Sequence, residues 1–209
     1  MQVSLLLGPS PDMSESRTKD EPESDKMNQD QVEVLKEFVR PQYAGKDSAH
    51  DFRHIERILD RLAILSDGVE PAPNMDKLCF LACFHGLSKQ IKSDPAFAEE
   101  VRAFLDSIGW SEGKVEESLT SLARHLKNPV TSEEKIIHDA NYLELLGAFG
   151  IAKAFTTGGA QGQLIEESAD IFEHQYLDKV EFETPVGKRI AQEGRRYAKE
   201  FLERLRMEW

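Results

Sequence analysis

His138-Asp139-Ala140-Asn141-Tyr142-Leu143-Glu144-Leu145-Leu146-Gly147-Ala148-Phe149-Gly150-Ile151-Ala152-Lys153-Ala154-Phe155 sets a polar cluster against a glycine-spaced apolar run. Its periodicity is helical. With Thr131 or Ser132 as cap and Glu134 as capping-box partner, it reads as the body of a helix over 131–155.

The same periodicity extends both ways. Upstream, Val32, Leu35, Phe38 and Val39 line one helix, and Phe52, Ile55, Ile58, Leu59 and Leu62 line another over 48–66. Pro71 and Pro73 break the chain before an apolar helix from Leu78 to Phe84, expected in the core. Asp94-Pro95 opens a helix that Gly109 stops, and another covers 112–126. Downstream, Gly158 to Gly162 reads as a loop. It lacks the Gly-Lys-Ser/Thr of a phosphate-binding loop, and residues 156–170 read as a pocket lid or as a plain connector. Helices over 165–181 and 184–206 close the chain, the second started by Thr184-Pro185. No alternating strand pattern and no internal repeat is present. The predicted fold is all-α, a single helical domain over 30–209 with no substantial sheet. Residues 1–29, acidic and poor in apolar side chains, read as a disordered N-terminal segment.

The chain has 209 residues, 40% hydrophobic and 31% charged, enough for one domain with a full core. A formal net charge of −12 argues against nucleic acid and against anionic membrane as partners, since both repel an acidic surface. A small-molecule substrate is the expected partner, with the chain a monomer or a homodimer. Cys79 and Cys83, four apart in an apolar run, share one helix face and read as packing residues. No apolar run reaches the length of a membrane span, and Val3 to Leu7 is too short for a signal peptide, so the expected location is cytoplasmic.

Six histidines carry the functional signal: His50, His54, His85, His125, His138 and His174. His50 and His54 share a helix face with Arg57 one turn further, and His85 ends a nearly all-apolar helix, a poor place for a solvated imidazole. With Asp51, Asp139 and Asn141 close by in sequence, they read as a converging polar site. His50 and His54 lack the intervening Glu of a zinc-protease helix.

Ala49 to Ile58 resembles His-Asp-x-x-His-x-x-Arg-Val, the opening motif of the HD-domain metal-dependent phosphohydrolases. Phe84-His85-Gly86 falls where that family has its His-Asp pair, and Leu122 to His125 resembles its A-x-H step. Thr131 to Phe155 resembles T-x-E-A-K-I-V-x-D-A-D-R-L-x-A-L-G-A-I-G-I-A-R-x-F. The tail from Phe172 to Leu202 is similar to the close of the small single-domain subgroup.

The resemblance implies a metal site of two His and two Asp, with His54 and His85 as the imidazoles. Both carboxylates are replaced, by Gly86 and Asn141, and the basic residue after D-A-D is Tyr142. The metal set left by motif position is His54 and His85, with Asp139 as a substitute carboxylate; two His and one carboxylate suit zinc or iron, the family more usually manganese or magnesium. One divalent metal (Zn, Fe, Mn or Mg) is the expected cofactor, with none as the alternative. The combined variant Gly86→Asp/Asn141→Asp is expected to raise Mn²⁺ affinity. His54, His85, His138, Asp139 and Asn141 are the candidate catalytic residues. His50, Asp51, Arg57, His125, Lys127 and Tyr142 are the candidate substrate-binding residues. The function so read is hydrolysis of a small, phosphorylated, nucleotide-like substrate. Metal-free acid–base chemistry on a small organic molecule and a catalytically silent binding protein are the alternatives.

Overall fold

A computed structural model describes residues 29–46 and 51–209, so His50, the 1–29 segment before its last residue, and the predicted start of the second helix lie outside the described residues. Among the described residues the structure is all helix, with no strand.

Helix α3 (Met75–Phe84) forms the centre. Leu78, Phe80, Leu81, Ala82, Cys83 and Phe84 are each fully buried, consistent with a helix apolar on every side. It packs against α1 (Gln29–Tyr43), α2 (Phe52–Leu65), α6 (Glu112–Arg124) and α7 (Ser132–Tyr142). Phe38 of α1 stacks on Phe84 at 5.8 Å between ring centroids, and Phe80 meets Trp110 at 5.5 Å. Cys79 and Cys83 are buried, as read from their spacing, and burial pushes the Cys79 thiol up to about 12. A short helix α4 (Ser88–Ser93) leads into α5 (Pro95–Ser107), where Asp94 caps the first turn by accepting from the backbone N–H of Ala96 and Phe97.

The predicted helix over 131–155 is two helices. Helix α7 ends at Tyr142, a 3₁₀ turn follows over Leu143–Leu145, and α8 (Gly147–Ala160) starts anew. Leu146 is extended and Gly147 has φ +63°, a left-handed conformation that costs glycine nothing. The break turns Glu144 inward to full burial. Helix α8 then runs further than predicted, through Gly158 and Gly159. A Cβ at Gly158 would stand 2.1 Å from Ser168 Oγ, so glycine lets α9 (Ile165–Ile171) approach. The predicted helix over 165–181 gives way to a π-helical turn at Phe172–Leu177. Helix α10 (Pro185–Arg206), capped by Thr184, crosses α8, where Gly194 lies close to Leu146 and Gly147.

Candidate functional site

His54 lies in the first turn of α2, whose N-cap is Asp51, and is 3% exposed. Its Nδ1 stands 2.7 Å from Glu144 Oε2, and its Nε2 stands 3.0 Å from His85 Nε2 and 3.2 Å from Asn141 Oδ1. His85 Nδ1 faces the Ala82 carbonyl at 2.9 Å. That oxygen only accepts, so His85 carries its hydrogen on Nδ1 and leaves Nε2 bare. Burial first, then the neighbouring His54, push His85 down to about 3 and keep it neutral. Any hydrogen between the two Nε2 atoms therefore comes from His54, whose Nδ1 faces Glu144.

Glu144 is the centre of the charge. It accepts from Arg57 Nε, from Arg57 Nη2 at 3.3 Å, from Arg61 Nη1 at 3.4 Å and from Lys153 Nζ at 3.5 Å, besides His54. Burial alone would favour the neutral acid, but the hydrogen bonds and charges of His54 and Arg57 hold its carboxyl well below the usual carboxylate range. One buried carboxylate thus serves four basic side chains.

A pocket of about 270 Å³ opens on this cluster, towards the small end of ligand sites. His54, Asn141, Lys153, Thr157, Gln161, Gln163 and Ser168 are among its polar lining; Phe172 and Tyr176 come from the π-helical turn. No Asp or Glu is among its lining residues. A larger groove of about 770 Å³ lies elsewhere, between the 68–74 loop, α6 and the starts of α7 and α10, and contains none of the histidines. Two of its lysines are already paired, Lys77 with Glu117 at 2.6 Å and Lys114 with Asp76 at 2.7 Å. The smaller pocket is the one that reaches the histidine pair, through His54.

The other residues singled out from the sequence fall around this centre. His125 is 2% exposed, its ring 6.3 Å from that of His85, with Nδ1 on the Leu122 carbonyl at 2.7 Å; Nε2 has no hydrogen-bond partner among the described residues. Burial pushes it down to about 4. His138 rests its ring 4.6 Å from Tyr142 and its Nδ1 3.1 Å from Asp139 Oδ1; neither His138 nor Tyr142 lines the pocket. Asp51 accepts from the Arg53 backbone N–H as helix cap. Lys127 is exposed in the turn after α6 and lines neither the pocket nor the groove, so it is not brought to the site.

Asp139 is corrected by the structure. Its carboxylate is fully buried and accepts from the backbone N–H of Glu183 at 2.9 Å, the backbone N–H of Thr184 at 2.7 Å and the Thr184 hydroxyl at 2.7 Å. It anchors the start of α10 instead of completing a set with His54 and His85. Gly187 makes room for it, since a Cβ there would stand 2.2 Å from Asp139 Oδ2.

Glu144, Arg61 and Lys153 went unread in the sequence. The visible signals are a lone acid inside Leu143-Glu144-Leu145-Leu146 and a basic face at 54, 57 and 61 of α2 that calls for a carboxylate.

The residues present do not fit a hard divalent cation. Such an ion prefers oxygen donors, carboxylates above all, and the centre offers two imidazoles and one amide oxygen. Among the described residues no three His, Cys, Asp or Glu side chains group as metal ligands. Beside Gly86 stand the Tyr43 hydroxyl and the Lys46 ammonium, where a Cβ would lie 2.8 Å and 3.4 Å from them.

No family model matches the chain. It is 25% identical to the uncharacterized protein YpgQ of Bacillus subtilis (strain 168), over 84% of this chain and 92% of that one. A crystal structure of an HD-superfamily hydrolase from Bacillus thuringiensis superposes with TM-score 0.70 at 26% identity, covering 87% of this chain and 97% of that one. YpgQ solved in complex with ADP superposes with TM-score 0.71 at 21% identity, covering 87% and 96%. No helix among the described residues is long and apolar enough to cross a membrane. With the histidine pair of the motifs meeting on an all-helical frame of that shape, the chain has the small single-domain fold of the HD-superfamily hydrolases and is similar to them.

Proposed function

We propose that the chain is a hydrolase of small phosphorylated, nucleotide-like molecules, which it binds in the pocket walled by His54, Asn141 and Lys153. One observation carries this reading: in a chain of net charge −12, the pocket has no acidic lining, and the single carboxylate behind it is outnumbered by Arg57, Arg61, Lys153 and His54. Surplus positive charge around a partly closed cavity is a site for an anion. The nucleotide held by YpgQ supports the same substrate class.

Lys153 holds a phosphate oxygen, while Arg57 and Arg61 keep Glu144 ionised. His54 is the imidazole that lines the pocket, and its Nε2–H, shared with His85, turns to the leaving oxygen when substrate is bound. In the step that follows, water oxygen bonds to phosphorus and the bond from phosphorus to the leaving oxygen breaks. The leaving oxygen takes the proton of His54, and the proton shed by water restores it. His85 acts as a positioning residue, holding the His54 ring by its bare Nε2.

The test is turnover of a nucleotide panel, together with calorimetric binding of ADP, in the full chain and in His54→Asn. Turnover lost with ADP affinity within about threefold supports the assignment. Absence of binding for every phosphorylated compound at millimolar concentration refutes it.

A further inference from the structure

In the family pattern two aspartates balance a divalent ion. Here both are replaced, by Gly86 and Asn141. The space beside Gly86 is filled: Tyr43 donates to the Cys83 carbonyl at 3.1 Å, and Lys46 lies over the Tyr43 ring at 4.0 Å while donating to the Gly86 carbonyl at 3.2 Å. A fixed ammonium thus stands where the lost carboxylate would have pointed, on the His85 side. On the His54 side Arg57, Arg61 and Lys153 converge on Glu144. The two imidazoles are therefore flanked by four permanent cations and one carboxylate. A dication added between them would meet like charges on both sides and no carboxylate facing it.

We infer that Lys153, backed by Arg57 and Arg61 on Glu144, takes the place of the divalent metal in holding the ligand's phosphate, so that the pocket binds its anion without one. The inference rests on the phosphorylated-ligand reading above. Neutral residues stand at both aspartate positions, and a cation occupies the space beside one of them, so the charge that would balance a dication is absent and one that opposes it is present. Lys153 is the pocket-lining member of the set, and its exchange partner is Glu144, from which a phosphate oxygen takes over the ammonium at its long 3.5 Å contact.

The experiment is titration calorimetry of ADP into the full chain, once with EDTA and once with Mn²⁺, alongside thermal melts with Mn²⁺ alone. The expected result is equal ADP affinity in both buffers, no rise in Tm with Mn²⁺ alone, a loss of about tenfold or more in Lys153→Met, and retention in Lys153→Arg. Raised salt weakens binding, as a site of fixed cations requires. ADP binding only in Mn²⁺, or a Tm rise with Mn²⁺ alone, overturns the inference and leaves the substrate reading standing. Binding in neither buffer removes the substrate reading, and the inference falls with it.

Discussion

Replacing Asp139 by alanine separates an anchoring carboxylate from a chemical one. The side chain accepts two backbone N–H groups, at Glu183 and Thr184, and the Thr184 hydroxyl. The hydroxyl can rotate to another acceptor; the two amides cannot. Each buried donor left unpaired costs about 1–3 kcal/mol, so Asp139→Ala is expected to lose about 3–5 kcal/mol with the cavity included. Against a typical total of about 5–15 kcal/mol, that is a large fraction, readily measured by urea unfolding at pH 7. Gly187→Ala attacks the same contact from the other side. Its Cβ would lie 2.2 Å from Asp139 Oδ2 and 2.7 Å from Thr184 Oγ1, an overpacking cost of about 1–3 kcal/mol. In the double variant the missing carboxylate leaves room for the methyl, so the combined loss should fall short of the sum. If Asp139→Ala unfolds at the wild-type midpoint yet no longer binds ADP, the carboxylate belongs to the pocket and the reasoning is refuted.

Glu144→Gln leaves Arg57, Arg61 and Lys153 around a neutral amide and is expected to cost about 3–5 kcal/mol at pH 7. Because the folded carboxyl is held low, the stabilisation is present above the unfolded value near 4.3 and fades as pH falls below it; a urea series at pH 7 and pH 3 should show the gap from wild type narrowing, and a constant gap counts against the network. His125, pushed from 6.5 to about 4, stays neutral where the unfolded chain takes up a proton. Stability should therefore fall from pH 6.5 towards pH 4 by about 1.4 kcal/mol per unit for this residue, and His125→Leu should remove that share of the slope. Gly86→Asp with Asn141→Asp should give no Mn²⁺-dependent rise in Tm, contrary to what the motif alone implies, because the new side chain meets Tyr43 and Lys46; a rise would show that the frame still accepts a metal.

The helical frame was legible because its signals are local. Caps at Asp94, Thr131 and Thr184 and the apolar periodicity between them depend on residues within a turn or two. The motif spacing also anticipated that His54 and His85 meet, at 3.0 Å between Nε2 atoms. Two local readings erred for a tertiary reason. The break after Tyr142 and the helical Gly158 both follow from close approaches by neighbouring helices, at Gly147 to α10 and at Gly158 to α9. Periodicity within a segment carries no record of such approaches.

From the amino acids alone came an all-α chain, a histidine pair, and the replacement of two carboxylates by Gly86 and Asn141. Only the folded structure decided what that replacement means. It directed Asp139 to the start of α10, carried Glu144 into a ring of basic side chains contributed by α2 and α8, and set Lys46 beside Gly86. Charge pairing acts through space between residues up to about ninety positions apart, so the electrostatics of the site exist only once the helices have packed.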